Sequence, residues 1–452
     1  MKIIVIGCGK IGTTLLASLV AEGHDVVALD SNPEVIDYVT NTYDVMGING
    51  NGTDSVILAE AGVSEAELVI STTSSDEFNM LACFIAKRMG AAHTIARIRT
   101  PEYNEHGLNF LKEQLELSHS INPELLTAKE IFNILRLPSA VKIETFAAKK
   151  FEILEMRLKD GSPFIDQTLS SLRSKYTAKF LICSVLRDDM AYIPDGNFVL
   201  KSGDKIGLLA SLSEIHRLFR EIGYNKNKIK NVMILGGNRT SRYLAKMLEA
   251  TGTNVTIIEG DKAICNELCE SLQKTVVINA DGLNQDVLLE EGLLSQDAFI
   301  AVTGSDEKNI LLSSFAMGKN IPKVITKVNN DNLVDLSEHW GLDCVVNPKQ
   351  LVSDLLMQYA RALHNSEGSS METLYKLMDG KVEALGFLVK NDFSELGVPF
   401  KELQTKPNVL IAGIVRDRKP IIPSGDSMLL AGDKVVILAA NQRISNLSEI
   451  LK

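Results

Sequence analysis

The chain has 452 residues, 45% of them hydrophobic and 23% charged, and a net charge of −10. That length exceeds a single core and implies three or four domains, while an acidic balance with no basic run argues against nucleic acid as a partner. No stretch reaches the about 18 apolar residues of a spanning helix, and the apolar run Ile3 to Ile6 is too short for a signal peptide. The expectation is a protein without a membrane span of its own, any membrane role coming through a partner.

Residues 2–7 form a β-branched run expected of a strand buried on both faces. Gly7, Gly9 and Gly12 follow in GxGxxG spacing, and then a helix with Leu15, Leu16, Leu19 and Val20 on one stripe. Gly7 serves the tight turn, Gly9 lets a pyrophosphate approach the backbone, and Gly12 lets helix pack on strand. The helix N-terminus offers N–H groups and partial positive charge to phosphates. The next strand, DVVALD, ends in Asp30, 18 residues after Gly12, where a carboxylate accepts hydrogen bonds from ribose hydroxyls. Ser31 and Asn32 supply no arginine for a 2′-phosphate, which favours NAD or an adenosine phosphate over NADP.

Further strand ends face the same crevice. GINGNGTD (47–54), with Asn51, is the turn where an adenine would lie. LVISTTSSDEFN (68–79) places Thr72 and Thr73 within reach of ribose or phosphate, while Ser74 to Asp76 read equally well as a helix N-cap. TIARIRTPEY (94–103) ends a fifth strand on Arg97, a guanidinium for phosphate or ribose. Alternation of strands and helices to about residue 120 predicts a Rossmann-like, doubly wound parallel sheet. From Lys149 to about Leu209 shorter strand-like runs (FEILEMRL, FLICSVLR, YIPDGNFVL, DKIGLLA) separated by DGSP, PDGN and SGD predict a small α+β module.

The order then repeats at an offset near 229. Gly7 pairs with Gly236, Asp30 with Glu259, Thr73 with Thr303, Asn79 with Asn309, Arg97 with Lys327, and Asn122-Pro123 with Asn347-Pro348. The fold class is therefore α/β: a tandem duplication of a Rossmann-like domain followed by a small α+β domain. The four units run 1–122, 140–224, 228–348 and 368–452, with KNKIKN (226–231) as the joint between halves and NSEGSS (365–370) as a polar linker.

GCGKIG, the strand-end Asp30, STTSSDEFNM, ARIRTPEY and the small GDK-bearing module, all duplicated, resemble the TrkA family. These are NAD-binding regulatory proteins of bacterial Trk potassium uptake, built from RCK or KTN modules. The resemblance covers essentially the whole chain. It implies a cytoplasmic protein, peripheral on the inner face of the cell membrane, that assembles as a homo-oligomeric ring of four chains. The ring would regulate a membrane-embedded potassium-translocating subunit. The effector would be NAD (NADH or NAD+), or alternatively ATP/ADP. Carried onto this sequence, the first site comprises Gly7, Cys8, Gly9, Lys10, Ile11, Asp30, Thr72, Thr73 and Arg97. The second comprises Gly236, Gly237, Asn238, Arg239, Thr240, Glu259, Thr303 and Lys327. Asn238 and Ser241 depart from the pattern at the places of Gly9 and Gly12: a side chain at 238 obstructs a pyrophosphate, although asparagine tolerates the left-handed turn and Arg239 adds charge.

The alternative is an NAD-dependent oxidoreductase, which needs an acid–base group beside the nicotinamide. The seven histidines (24, 93, 106, 119, 216, 339 and 364) form no pairing in sequence, and H-E-x-x-H, G-x-S-x-G and Walker A motifs are absent. No catalytic or metal site is expected. Cys265 and Cys269, four apart on a predicted helix, read as small apolar residues, and Trp340 as a packing residue. The small modules read as interface and scaffold, or as a second effector site.

Overall fold

The computed structural model describes residues 1–100, 103, 105–137, 140–146, 150–224, 229–365 and 371–452. The predicted joint and the polar linker fall largely on residues 225–228 and 366–370, outside that set, as do Pro101 and Glu102.

The first parallel sheet is built from β1 (Lys2–Ile6), β2 (Asp25–Asp30), β3 (Met46–Asn49), β4 (Leu68–Ser71), β5 (His93–Arg97) and β6 (His119–Ile121), in the order β3-β2-β1-β4-β5-β6. Its connections are α1 (Lys10–Ala21), α2 (Pro33–Thr42), α3 (Ser55–Glu60), α4 (Asp76–Arg88) and α5 (Glu105–Gln114), and α6 (Pro123–Arg136) leaves it. The strand order reverses between β1 and β4, so the carboxyl ends of these two strands open a crevice, the usual ligand position in such sheets.

A small antiparallel sheet follows, from β7 (Lys142–Phe146), β8 (Phe151–Arg157), β9 (Leu181–Arg187), β10 (Met190–Tyr192) and β11 (Lys205–Ala210), with helices α7 (Leu169–Lys175) and α8 (Leu212–Glu221). The run 192–200, expected as a strand, is strand only at Tyr192: Pro194 cannot donate to a ladder, and Asp195-Gly196 turns the chain.

The second half repeats both sheets. Its parallel sheet has β12 (Asn231–Leu235), β13 (Asn254–Glu259), β14 (Val276–Asn279), β15 (Ala298–Ala301), β16 (Lys323–Lys327) and β17 (Val345–Val346), in the same order as the first. Its helices are α9 (Arg239–Ala250), α10 (Lys262–Ser271), α11 (Gln285–Glu290), α12 (Asp306–Gly318), α13 (Asp331–His339) and α14 (Pro348–Asn365). The last sheet contains β18 (Met371–Leu377), β19 (Val382–Leu388), β20 (Val409–Arg416), β21 (Lys419–Ile421) and β22 (Lys434–Ala440).

The halves are interlocked. Helix α6 buries Ala128, Ile131, Ile134 and Leu135 in the core of the second parallel sheet, against Val232, Ile234, Leu244 and Ile257. Helix α14 buries Val352, Leu356, Met357 and Ala360 against Ile3, Val5, Leu16 and Leu19 of the first. Each parallel-sheet unit therefore carries the other's exit helix, and Arg361 of α14 pairs with Glu22 after α1. The small sheets also face one another, burying Phe146, Phe151 and Leu209 against Met378, Val382 and Leu438.

Where α6 meets this pair of sheets lies a buried charge cluster. Lys142 contacts Glu144 at 2.9 Å, and Lys205 bridges Glu155 at 3.3 Å and Asp379 at 2.6 Å. Burial, with Glu144 beside it, pushes the Glu130 carboxyl up to about 7. A raised acid favours the folded state while protonated, so this contribution is full below the unfolded pKa near 4.5 and is lost as pH rises through 7. Glu130→Gln is accordingly expected to gain about 2 kcal/mol relative to the parent chain between pH 5 and pH 8. Denaturant melts at both pH values check this; a mutational difference independent of pH would contradict it.

Candidate functional site

Two turns define the candidate sites. In the first, Gly7 takes φ +88°, and an added Cβ would meet Thr73 Cγ2 at 2.7 Å and its backbone nitrogen at 2.9 Å. At Gly9 an added Cβ meets nothing within 4 Å. As N-cap of α1, Gly9 supplies no side-chain hydrogen bond, so the first-turn N–H groups of the helix remain open to an anion. Asp30 closes the turn from the side: Oδ2 accepts the Cys8 N–H at 2.7 Å and Oδ1 the Asn32 N–H at 2.9 Å. Each oxygen keeps a second lone pair for a ligand hydroxyl.

The threonines act differently from expectation. Thr72 Oγ1 donates to Gly7 O at 2.7 Å, and Thr73 Oγ1 to Asn79 Oδ1 at 2.7 Å. Both hydroxyls hold the turn, although both residues line the cleft. Asn79 also receives the Thr73 N–H and donates to Arg97 O at 2.9 Å. Asn309 repeats this with Thr303 and Lys327 O. Ser75 caps α4, so the hydroxyl cluster is in part a helix start.

The cleft at this turn has a volume of about 570 Å³ and spans both halves. The first half contributes Gly7, Gly9, Lys10, Ile11, Asp30, Ser31, Thr72, Thr73, Ser74 and Arg97, together with Pro123, Glu124 and Thr127 at the start of α6. The second contributes Thr240, Lys327, Asn329, Pro348 and Lys349. Thr240 and Lys327, expected in the second site, therefore line the first cleft, because exchange of α6 and α14 turns the two parallel sheets toward each other. Four cations (Lys10, Arg97, Lys327 and Lys349) face two carboxylates, Asp30 and Glu124.

The Arg97 guanidinium donates to Thr73 O at 3.2 Å, but its Nε is buried without an acceptor. Burial first, then Arg99 nearby, lowers its pKa, and burial lowers that of Lys327. Lys327 Nζ donates to Val302 O at 3.2 Å, so the unsatisfied donor is Arg97 Nε, and partly buried cations with a donor to spare favour an anionic ligand.

Three expected residues do not line this cleft. Cys8 is buried with its thiol on Leu29 O, and burial, with Asp30 beside it, pushes that thiol up to about 12. Gly12 lies under the Gly7 carbonyl, 2.1 Å from where its Cβ would be. The Asn51 side chain accepts the N–H and O–H of Thr53.

The second turn is built differently. Gly236 has φ +101°, and Glu259 accepts the N–H groups of Gly237 and Asp261, as Asp30 does in the first. Asn238 is not left-handed: its φ is −106° and ψ −176°, and the left-handed residue is the glycine two before it. Its side chain accepts the Ser241 N–H at 3.2 Å and donates to Val302 O. Ser241 Oγ donates to Gly236 O, the bond that Thr72 makes in the first half, where Val302 now stands. The hydroxyl has changed places across the turn, so the loss of the third glycine is compensated. Gly236, Gly237, Asn238, Glu259 and Thr303 line a second cleft of about 390 Å³. Arg239 is on neither lining; it is near enough to Arg97 to depress it.

Duplicated Rossmann-type turns with strand-end acids, exchanged helices and paired small sheets define a class of tandemly duplicated nucleotide-fold proteins. Profiles describing the TrkA-N domain match residues 3–123 and 232–348, and those describing the TrkA-C domain match residues 153–223 and 394–452. The chain belongs to the TrkA family, each domain type being present twice. It is 28% identical over 449 residues to the Trk system potassium uptake protein TrkA of Vibrio alginolyticus, covering 98% of this chain and 96% of that one. Identity to the Haemophilus influenzae protein of the same name is 29% over 458 residues, covering 100% and 98%. Among solved structures, the GsuK channel bound to NAD aligns with a TM-score of 0.63 at 18% identity, over 97% of this chain and 77% of that one. The GsuK RCK domain aligns at 0.64, over 97% and 92%. These establish the shared fold.

Proposed function

We propose that this chain is a nucleotide-sensing regulatory subunit of a potassium uptake system, not an enzyme. The observation that carries the proposal is the cationic first cleft, open at Gly9 and walled by both halves. An adenosine phosphate or NAD fits it: Asp30 takes ribose hydroxyls, the open start of α1 takes phosphate, and Arg97 supplies an unsatisfied donor. Lys327 and Lys349 would reach the same phosphates from the second half. Filling the cleft favours one angle between the parallel-sheet units, to the extent that ligand affinity differs between arrangements. Coupling of this kind is typically about 1–3 kcal/mol per site, so several chains acting together make a decisive switch. NADH and NAD+ differ in charge at the nicotinamide, and ATP and ADP in phosphate charge; either pair can be read by such a cleft.

No helix among the described residues is long and apolar enough to cross a membrane. The chain acts, in this reading, from the cytoplasmic face on a membrane-embedded potassium-translocating subunit, consistent with the names of its relatives. Assembly into a ring, of four chains in this proposal, is supported by a repeated surface feature. Leu81 on α4 and its counterpart Leu311 on α12 are 50% and 59% exposed. Phe110 on α5 and Trp340 after α13, at different places in the repeat, are 61% and 55% exposed. Trp340 is thus a surface residue rather than a packing one, and the paired exposure of Leu81 and Leu311 suits protein contact. Potassium flux through the translocating subunit, reconstituted with and without this chain, tests the function: flux that depends on the chain and changes with ADP or NADH is expected, and flux indifferent to both would refute it.

A further inference from the structure

The second cleft differs from the first in ways that change what it can hold. Helix α1 is capped by a glycine and leaves its first-turn N–H groups open, whereas α9 is capped by Asn238, whose carboxamide oxygen takes the Ser241 N–H at 3.2 Å. The same carboxamide is tied to Val302 O on its other side, so it is held in place over the start of the helix. One of the first-turn N–H groups that would meet a phosphate chain is therefore occupied from within, and the carboxamide itself stands where Gly9 leaves the first turn open. Charge points the same way. Glu259 and Asp281 line this cleft against one exposed lysine, Lys308, while Arg239, Thr240 and Lys327 are on other surfaces. The acid that serves ribose is nevertheless intact: Glu259 Oε2 holds Gly237 N–H at 2.6 Å and Oε1 holds Asp261 N–H at 2.8 Å, each oxygen with a lone pair to spare. Ile264 and Leu283 supply apolar walls, and about 390 Å³ accommodates a nucleoside.

From this geometry we infer that the second cleft is a ribonucleoside site: it takes an uncharged base and ribose and rejects the phosphate chain that the first cleft selects. The inference rests on the nucleotide reading of the first cleft only for the contrast between them. The second cleft then reports the nucleoside while the first, which alone of the two is lined by the exchanged helices, reports the phosphorylated form.

Adenosine and ADP titrated calorimetrically into the full chain separate the possibilities. ADP is expected to bind once per chain and adenosine twice. Glu259→Gln should remove one adenosine and leave ADP stoichiometry unchanged, whereas Asp30→Ala should weaken ADP and leave the second adenosine. Asn238→Gly uncaps α9, and should admit a second ADP per chain. Two equivalent ADP in the parent chain, a single adenosine, or adenosine binding indifferent to Glu259→Gln would overturn the inference, as would an Asn238→Gly chain that folds and still takes one ADP. ADP binding nowhere, with the Glu259-dependent adenosine retained, would refute the reading of the first cleft and leave this one standing.

Discussion

Asp30→Ala is expected to weaken ADP or NAD binding by about 1–3 kcal/mol, roughly 5- to 150-fold, without abolishing folding. Two losses combine. The ribose loses a charged acceptor, and the turn loses the carboxylate that fixes the N–H groups of Cys8 and Asn32. Asp30→Asn separates these. Its single amide oxygen can accept one of the two N–H groups but turns an NH₂ toward the other, so an intermediate loss is expected. Calorimetry on both variants gives the order; affinity unchanged in a folded Asp30→Ala chain would show that the ribose is not held here.

Gly12→Ser is expected to destabilise the first parallel-sheet unit by about 2–3 kcal/mol, a typical cost of forcing atoms into a packed site. Its Cβ would stand 2.1 Å from Gly7 O and 3.2 Å from Thr72 Oγ1. The second half carries serine at this place without Thr72's hydroxyl: Ser241 bonds Gly236 O, and Val302 replaces the threonine. The double variant Gly12→Ser/Thr72→Val should therefore recover at least about 1 kcal/mol relative to additivity, the coupling expected of residues sharing one acceptor. Denaturant melts of both singles and the double close this cycle, and strictly additive effects would mean that the two halves do not solve the turn interchangeably.

Elements whose information is local were legible in the sequence. The β1–turn–α1–β2 unit and Asp30 lie within thirty residues, and glycine spacing, helix stripe and strand-end acid all constrain the same turn. The repeat was legible for the same reason, and its paired residues do paired work: Asn79 and Asn309 make matching bonds, and Asn122 caps α6 as Asn347 caps α14. The partner of an amphipathic helix was not legible. The stripe of α6 would suit either parallel sheet, and the choice of the distant one, which brings Lys327 and Thr240 to the first cleft, depends on contacts over a hundred residues away. Ser241 shows a second limit. Read alone it is a lost glycine; its meaning appears only beside Val302, sixty-one residues on, where the exchanged hydroxyl is missing. Glu124 and Lys349 follow Asn-Pro pairs that signal helix starts, and nothing nearby in the sequence signals a ligand.

The central claim is that one nucleotide is gripped by both halves at the first cleft. ADP titrated into the Lys327→Ala chain tests this most directly, since Lys327 belongs to the second half and lies outside the cleft lined by its own turn. The account predicts about tenfold weaker ADP binding, the loss of one charge-assisted contact, while adenosine affinity is unchanged. ADP affinity equal to that of the parent chain would contradict it and return the first cleft to the first half alone.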